Sequence, residues 1–294
     1  MGFSPTQASL EGFRLIGYRP VSFLVWTVLV VLEFGLFGWA VYWAWGSELA
    51  SLAAAKAVDP ADFAPGLFRL ALAMVVVVPA ALMINAVLTA AVYRSIVQPT
   101  QKAFGYVRLG GDELRLILLQ LLFMVVCWTV CGVAMGAMFW TNASQTQLGV
   151  KILIEIVTGL AGVAAMILLG VRFSLAGPLI VAQGHLSFRA AWRLTRRRFW
   201  PLLLMALLAV LLAAGVSMVS QIFFQPFSNL VAASFNVDSA KGSLTAGVNP
   251  FAAIAANPWL YGVLAVLALA VSALQVVVQI APFAAAYRDI DAGG

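Results

Sequence analysis

Nucleophiles, bases and metal ligands are sparse in this chain, and they do not gather. There is one histidine, His185, and two cysteines, Cys127 and Cys131. A four-residue spacing puts both cysteines on one face of a helix, but with no His, Asp or Glu beside them they cannot complete a zinc shell. A disulfide inside one regular helix is geometrically poor, so the pair reads as small buried packing residues. His185 has no partner nucleophile and reads as interfacial. The sequence has no Ser-His-Asp set, no carboxylates paired at one level, no GxGxxG and no P-loop. No catalytic residue, metal or cofactor is therefore assigned.

What remains is polar chemistry inside apolar surroundings. Glu33 lies near the centre of an apolar stretch, where a charged carboxylate is costly and a functional role is the default expectation. It reads either as a proton, cation or headgroup site, or as a neutral, hydrogen-bonded residue joining helices. Asn85, Gln275 and Gln279 are its possible partners. Asn85 follows Pro79, which frees a backbone carbonyl that a nearby amide can satisfy. Glu155 sits four residues after Lys151 and reads as an interfacial helix pair. The densest charge is Arg189, Arg193, Arg196, Arg197 and Arg198. At helical spacing Arg189, Arg193, Arg196 and Arg197 oppose a stripe of Phe188, Trp192 and Phe199. Such a segment lies in the membrane interface, rings toward lipid and guanidinium groups toward phosphates. The run either enforces topology or binds anionic lipid phosphates.

The elements that carry these residues follow from composition. The chain has 294 residues, of which 63% are apolar and 10% charged, with mean hydropathy +1.01. A soluble fold of this length could not hide so much apolar side chain, so lipid is the solvent. A net charge of +6 and a pI near 9.7 would suggest nucleic acid in a soluble protein. Here the basic residues lie between apolar spans, and nucleic acid is set aside. Met1 to Pro20 has neither a long apolar core nor a small-residue cleavage site, so it does not read as a removed signal peptide.

At about 20 apolar residues per crossing, spans are expected at Pro20–Trp45, Leu67–Val97, Leu114–Trp140, Val150–Val181, Trp200–Phe224 and Trp259–Ala286. Thirteen of the Lys and Arg residues, from Arg14 to Arg288, fall on one side of this arrangement; the other side has Lys56, Arg69, Lys151 and Lys241. That imbalance puts both termini in the cytoplasm. Trp39, Trp43, Trp45 and Trp140 then form an outer aromatic belt, with Trp200 at the inner interface.

An Arg-Leu step (Arg14-Leu15, Arg108-Leu109, Arg193-Leu194) precedes each odd span. An aromatic–Arg pair (Tyr93-Arg94, reversed Arg172-Phe173, Tyr287-Arg288) ends each even one. The expected architecture is thus one all-α membrane domain with three parallel helical-hairpin repeats, about 6–97, 99–182 and 185–288. Each repeat opens on a basic amphipathic segment: Thr6–Gly17, Gln101–Leu109 or Leu186–Phe199. Gly110-Gly111 breaks the chain before the third span, where Asp112 is the expected cap and Glu113 favours the helix N-terminus. The stretch 225–258 is long for a hairpin, and is expected as a short outer helix or a cap.

Two linkers, AVYRSIVQPTQKAFGYVRLGGDELR and LSFRAAWRLTRRRFWPLL, resemble the bacterial six-span family named for the glycerophosphoryl diester phosphodiesterase membrane domain, whose neighbours include YciC-like inner-membrane proteins. The resemblance implies that fold and a bacterial inner-membrane address. It implies no phosphodiesterase activity, because no segment is long enough for the soluble catalytic domain and one histidine cannot supply its metal site. The leading expectation is a non-enzymatic protein that binds or organises anionic lipid. Equally within this expectation, it assembles with other membrane proteins, as a homo-oligomer or with a different partner, instead of handling lipid. The rival is a transporter or channel with a polar path through Glu33, Asn85, Gln275 and Gln279.

Overall fold

Backbone in hydrocarbon must satisfy its own N–H and C=O groups, and uninterrupted helices do so without outside partners. The computed structural model describes residues 4–53, 64–100, 104–143, 147–196, 198–234, 236–238, 243–245, 254 and 256–291. Six of its helices are long and apolar enough to cross a membrane. Two short helices, α1 (Pro5–Ser9) and α2 (Glu11–Tyr18), precede the first span, α3 (Pro20–Ala53). The chain returns as α4 (Ala64–Val97) and makes a 3-10 turn at Phe104–Tyr106. It then crosses as α5 (Gly111–Ala143) and α6 (Leu148–Phe173). Two short helices, α7 (Ala176–Gln183) and α8 (Phe188–Arg196), lead to α9 (Phe199–Ser234) and finally α10 (Pro258–Asp291). Between these last two, β1 (Asn236–Asp238) and β2 (Ser243–Thr245) form a small antiparallel pair.

The protein is an all-α multi-pass membrane bundle, and its departures from the expected spans have local causes. The fourth span does not run unbroken to Val181. It stops at Phe173 and restarts at Ala176, with the Ser174 hydroxyl donating to the Val171 carbonyl at 2.9 Å. Pro178 explains the break: it cannot donate to residue 174, and its ring would strike that carbonyl in a continuing helix. The break leaves Pro178 in the first turn of α7, where a missing N–H costs nothing. Gly184, at φ +68°, ends α7 by donating its N–H to the Ile180 carbonyl at 2.8 Å. The first span kinks at Trp45 (φ −131°, ψ 21°), its expected end, and continues to Ala53. The fifth passes its expected end and runs through Pro226 to Ser234.

Two further expectations change. The linker before α5 is no amphipathic helix over its described residues: Gly105 and Tyr106 both take positive φ. The Tyr106 ring is buried and its hydroxyl donates to the Pro99 carbonyl at 3.2 Å, which compensates the strained backbone. The cysteines are not buried packing residues, since Cys131 is exposed and Cys127 half-buried. In a membrane bundle an exposed apolar side chain meets lipid, so a small apolar residue gains little by turning inward.

The chain divides into two compact units. One comprises Met1–Glu11, Thr89–Ala209 and Ile280–Gly294; the other comprises Gly12–Leu88 and Val210–Gln279. In the first, the apolar helix α7 is embedded: Ala176 through Val181 are all buried. Leu175 and Leu179 pack with Leu202 and Met205 of α9 and with Ala285 and Ala286 of α10. In the second, α3 and α4 meet through Ala40, Ala73 and Val77. Small residues let the backbones approach where no hydrophobic drive separates protein from lipid. Two residues from the buried Val77, Val75 is 69% exposed, so α4 has distinct protein and lipid faces.

Candidate functional site

The three aromatic–Arg pairs lie in the first compact unit, each at the end of a returning span, and each arginine meets a different surrounding. Arg94, in the last turn of α4, is only 3% exposed. It forms an ion pair with Glu113, whose side chain is equally buried, and its Nη2 lies 3.4 Å from Asp112 Oδ2. Asp112 is shared, with Arg115 at 2.9 Å and Arg108 at 3.8 Å. The helix cap differs from expectation. Glu113, not Asp112, reaches back to accept the Gly110 N–H at 2.8 Å, the side-chain half of a capping box. Asp112 is drawn away by three guanidinium groups, which bind a carboxylate more strongly than one backbone N–H does.

Arg288, at the end of α10, donates to Glu11 Oε1 at 3.2 Å and to its neighbour Asp289 at 3.2 Å. Arg172, at the end of α6, has no such carboxylate. Its guanidinium carbon lies 4.8 Å from the centre of the Trp192 ring and 5.5 Å from that of Phe199. Its Nε and Nη1 are buried without an acceptor among the described residues. Its backbone carbonyl accepts the buried Thr195 hydroxyl at 3.1 Å, tying α8 to the end of α6.

Helix α8 carries the expected two stripes, with the apolar one used differently. Phe188 and Trp192 pack on Phe173 at ring separations of 5.6 and 5.9 Å. Ala191 and Thr195 are buried beneath the helix. The ring stripe therefore packs partly on protein, with Trp192 still 40% exposed. Docking fixes the other stripe outward: Arg189, Arg193 and Arg196 are exposed, and Arg198 is half-buried. Arg197 lies outside the described residues. Phe173, on which Phe188 and Trp192 pack, also walls a cavity of about 370 Å³ together with Tyr93, Leu116, Gln120 and Gly177 among others. That volume is within the range of small-molecule sites. A smaller apolar groove adjoins Phe173 and Phe188 and is completed by Leu122, Phe123, Val126 and Leu169.

The polar set expected within the membrane belongs to the second unit. Glu33, Asn85 and Gln275 are half-buried and Gln279 is exposed. No hydrogen bond among the described residues joins Glu33 to Gln275 or Gln279. The polar contact described for Glu155 is with Thr141 of α5, at 3.2 Å. His185 is exposed, with Nδ1 3.2 Å from the Gln183 carbonyl.

Sequence reasoning noticed Arg94, Arg172 and Arg288 only as repeat markers. A usable signal was present: an acid follows Arg94 within 20 residues and flanks Arg288, whereas no Asp or Glu occurs between Glu155 and Asp238. No family model, curated protein or solved structure matches this chain.

Proposed function

We propose that this protein binds anionic lipid at the basic end of its bundle and organises it, alone or with other membrane proteins, without chemistry of its own. The observation that carries this reading is the docking of α8. With Phe188 and Trp192 seated on Phe173, the exposed arginines 189, 193 and 196 form a fixed strip. Holding the strip rigid lowers the ordering cost of meeting several phosphates at once. We place the strip in the cytoplasmic leaflet of a bacterial inner membrane, with both termini inside. The thirteen-to-four split of basic residues and the likeness of the linkers support that placement.

The three-unit reading draws support from the arginines. Arg94 reaches the start of α5, Arg172 the segment that opens the third unit, and Arg288 the start of α2. Each returning span thus contacts the beginning of the next unit, and the last contacts the first.

Near an anionic leaflet a basic residue contributes about 1 kcal/mol. Arg189→Gln, Arg193→Gln and Arg196→Gln together should weaken phosphatidylglycerol binding by about 3 kcal/mol, roughly 150-fold. Lipid retained by the purified triple variant, quantified by native mass spectrometry against wild type, measures this. Unchanged phosphatidylglycerol content would overturn the reading and leave the arginines as a topology signal.

A further inference from the structure

Three arginines end three returning spans, and two of them face carboxylates of their own chain. Nε and Nη1 are buried without an acceptor among the described residues in Arg94 as in Arg172, so what sets Arg172 apart is the missing carboxylate. Arg94 has Glu113 and Asp112; Arg288 has Glu11 and Asp289. Arg172 has two aromatic rings and, among the described residues, no anion. A guanidinium with two buried donor atoms unmet is unfavourable, and ring faces attract the cation without accepting its N–H bonds in the plane. The segment between Glu155 and Asp238 holds six arginines and no acid. At this end of the bundle Asp112 and Glu113 are engaged by Arg94, and Glu11 and Asp289 by Arg288.

We infer that Arg172 is an anion site, and that the phosphate of an anionic phospholipid fills the place a carboxylate holds in the other two. The idea rests on the lipid reading above and deepens it, since it names an anchoring residue outside the exposed strip. Trp192 and Phe199 hold the guanidinium plane, which presents a fork to phosphate oxygens. Exposed Arg193 and Arg196 share a helix with Trp192 and add positive field. Lipid is favoured over free phosphate as the source because Phe173, the ring on which Trp192 rests, also walls the apolar groove with Phe188, Leu122 and Val126. A phosphate at Arg172 therefore lies beside a surface suited to the first part of an acyl chain.

The test uses the full chain in delipidated detergent, with dioctanoyl-phosphatidylglycerol, dioctanoyl-phosphatidylcholine and inorganic phosphate as probes. Affinity is read by titration and folding by thermal melting. In Arg172→Met, phosphatidylglycerol binding is expected to weaken at least about tenfold, as loss of a bidentate charged contact implies. Arg172→Lys should recover only part of it, since a point charge replaces the stacked fork. Without ligand, Arg172→Met should melt at or above the wild-type temperature, because an uncompensated cation is gone. A variant melting well below wild type would mean that the rings alone satisfy Arg172, and would overturn the site.

Unchanged phosphatidylglycerol affinity in Arg172→Met, with loss in the Arg189, Arg193 and Arg196 triple variant, overturns the site and leaves the strip reading intact. Failure of wild type to prefer phosphatidylglycerol over phosphatidylcholine overturns both. Equal stabilisation by inorganic phosphate, abolished in Arg172→Met, keeps the phosphate site and overturns lipid as its source.

Discussion

The ion pair between Arg94 and Glu113 can be tested by a double-mutant cycle whose size follows from burial. The two side chains are 3% and 4% exposed, so neither charge is relieved by water when its partner is lost. Removing one member of such a pair costs about 3–5 kcal/mol, most of it from the charge left behind. Glu113 has a second task, accepting the Gly110 N–H, and loss of a cap costs about 1 kcal/mol. Glu113→Ala should therefore destabilise by about 4–6 kcal/mol. Glu113→Gln, which keeps an acceptor for the cap, should cost about 3 kcal/mol.

In Arg94→Met the shared acid Asp112 keeps Arg115 at 2.9 Å, so the penalty comes chiefly from stranded Glu113 and is again about 3 kcal/mol. The double variant Arg94→Met with Glu113→Gln strands no full charge. It should fall short of the sum of the single effects by about 2–3 kcal/mol. Equilibrium unfolding in mixed micelles of mild detergent and dodecyl sulfate, followed by tryptophan fluorescence, gives the four free energies. Additive single effects would refute the argument, because they would mean that each charge is already solvated.

Two further predictions concern packing and topology. A Cβ on Gly177 would lie 2.6 Å from the Tyr93 ring, so Gly177→Ala should cost about 1–3 kcal/mol and be partly relieved by Tyr93→Leu. On Gly12 a Cβ would lie 2.8 Å from the Val278 backbone, so Val278→Ala should not relieve Gly12→Ala. Gly35→Ala, with nothing within 4 Å, should be neutral or mildly stabilising in the same unfolding assay. In a chain with Cys127 and Cys131 replaced by Ala, single cysteines at Arg108 and Ser228 should be labelled by an impermeant maleimide from opposite sides. Same-side labelling would contradict the six-span topology.

Span number and approximate placement were legible because crossing a bilayer is a local requirement: about 20 consecutive apolar residues satisfy it whatever the rest of the chain does. The break before α7 was legible in principle too, since Pro178 acts on the carbonyl four residues before it. The cap on α5 was harder, because Asp112 and Glu113 are both able caps. Only the arrival of Arg94, Arg108 and Arg115 around Asp112 decided between them.

Hydropathy could not say which way the rings of α8 would face, or whether the cysteines would be buried. Lipid and protein interior are both apolar solvents, and a pattern that separates oil from water does not separate oil from protein. The pairings of Arg94 with Glu113, Arg288 with Glu11 and Arg172 with Trp192 span separations along the chain that no periodic signal records. The sequence by itself determined six apolar crossings and a basic end. Tertiary structure decided which of the three span-ending arginines has no carboxylate beside it among the described residues, because Coulomb energy depends on distance in space, not on order along the chain.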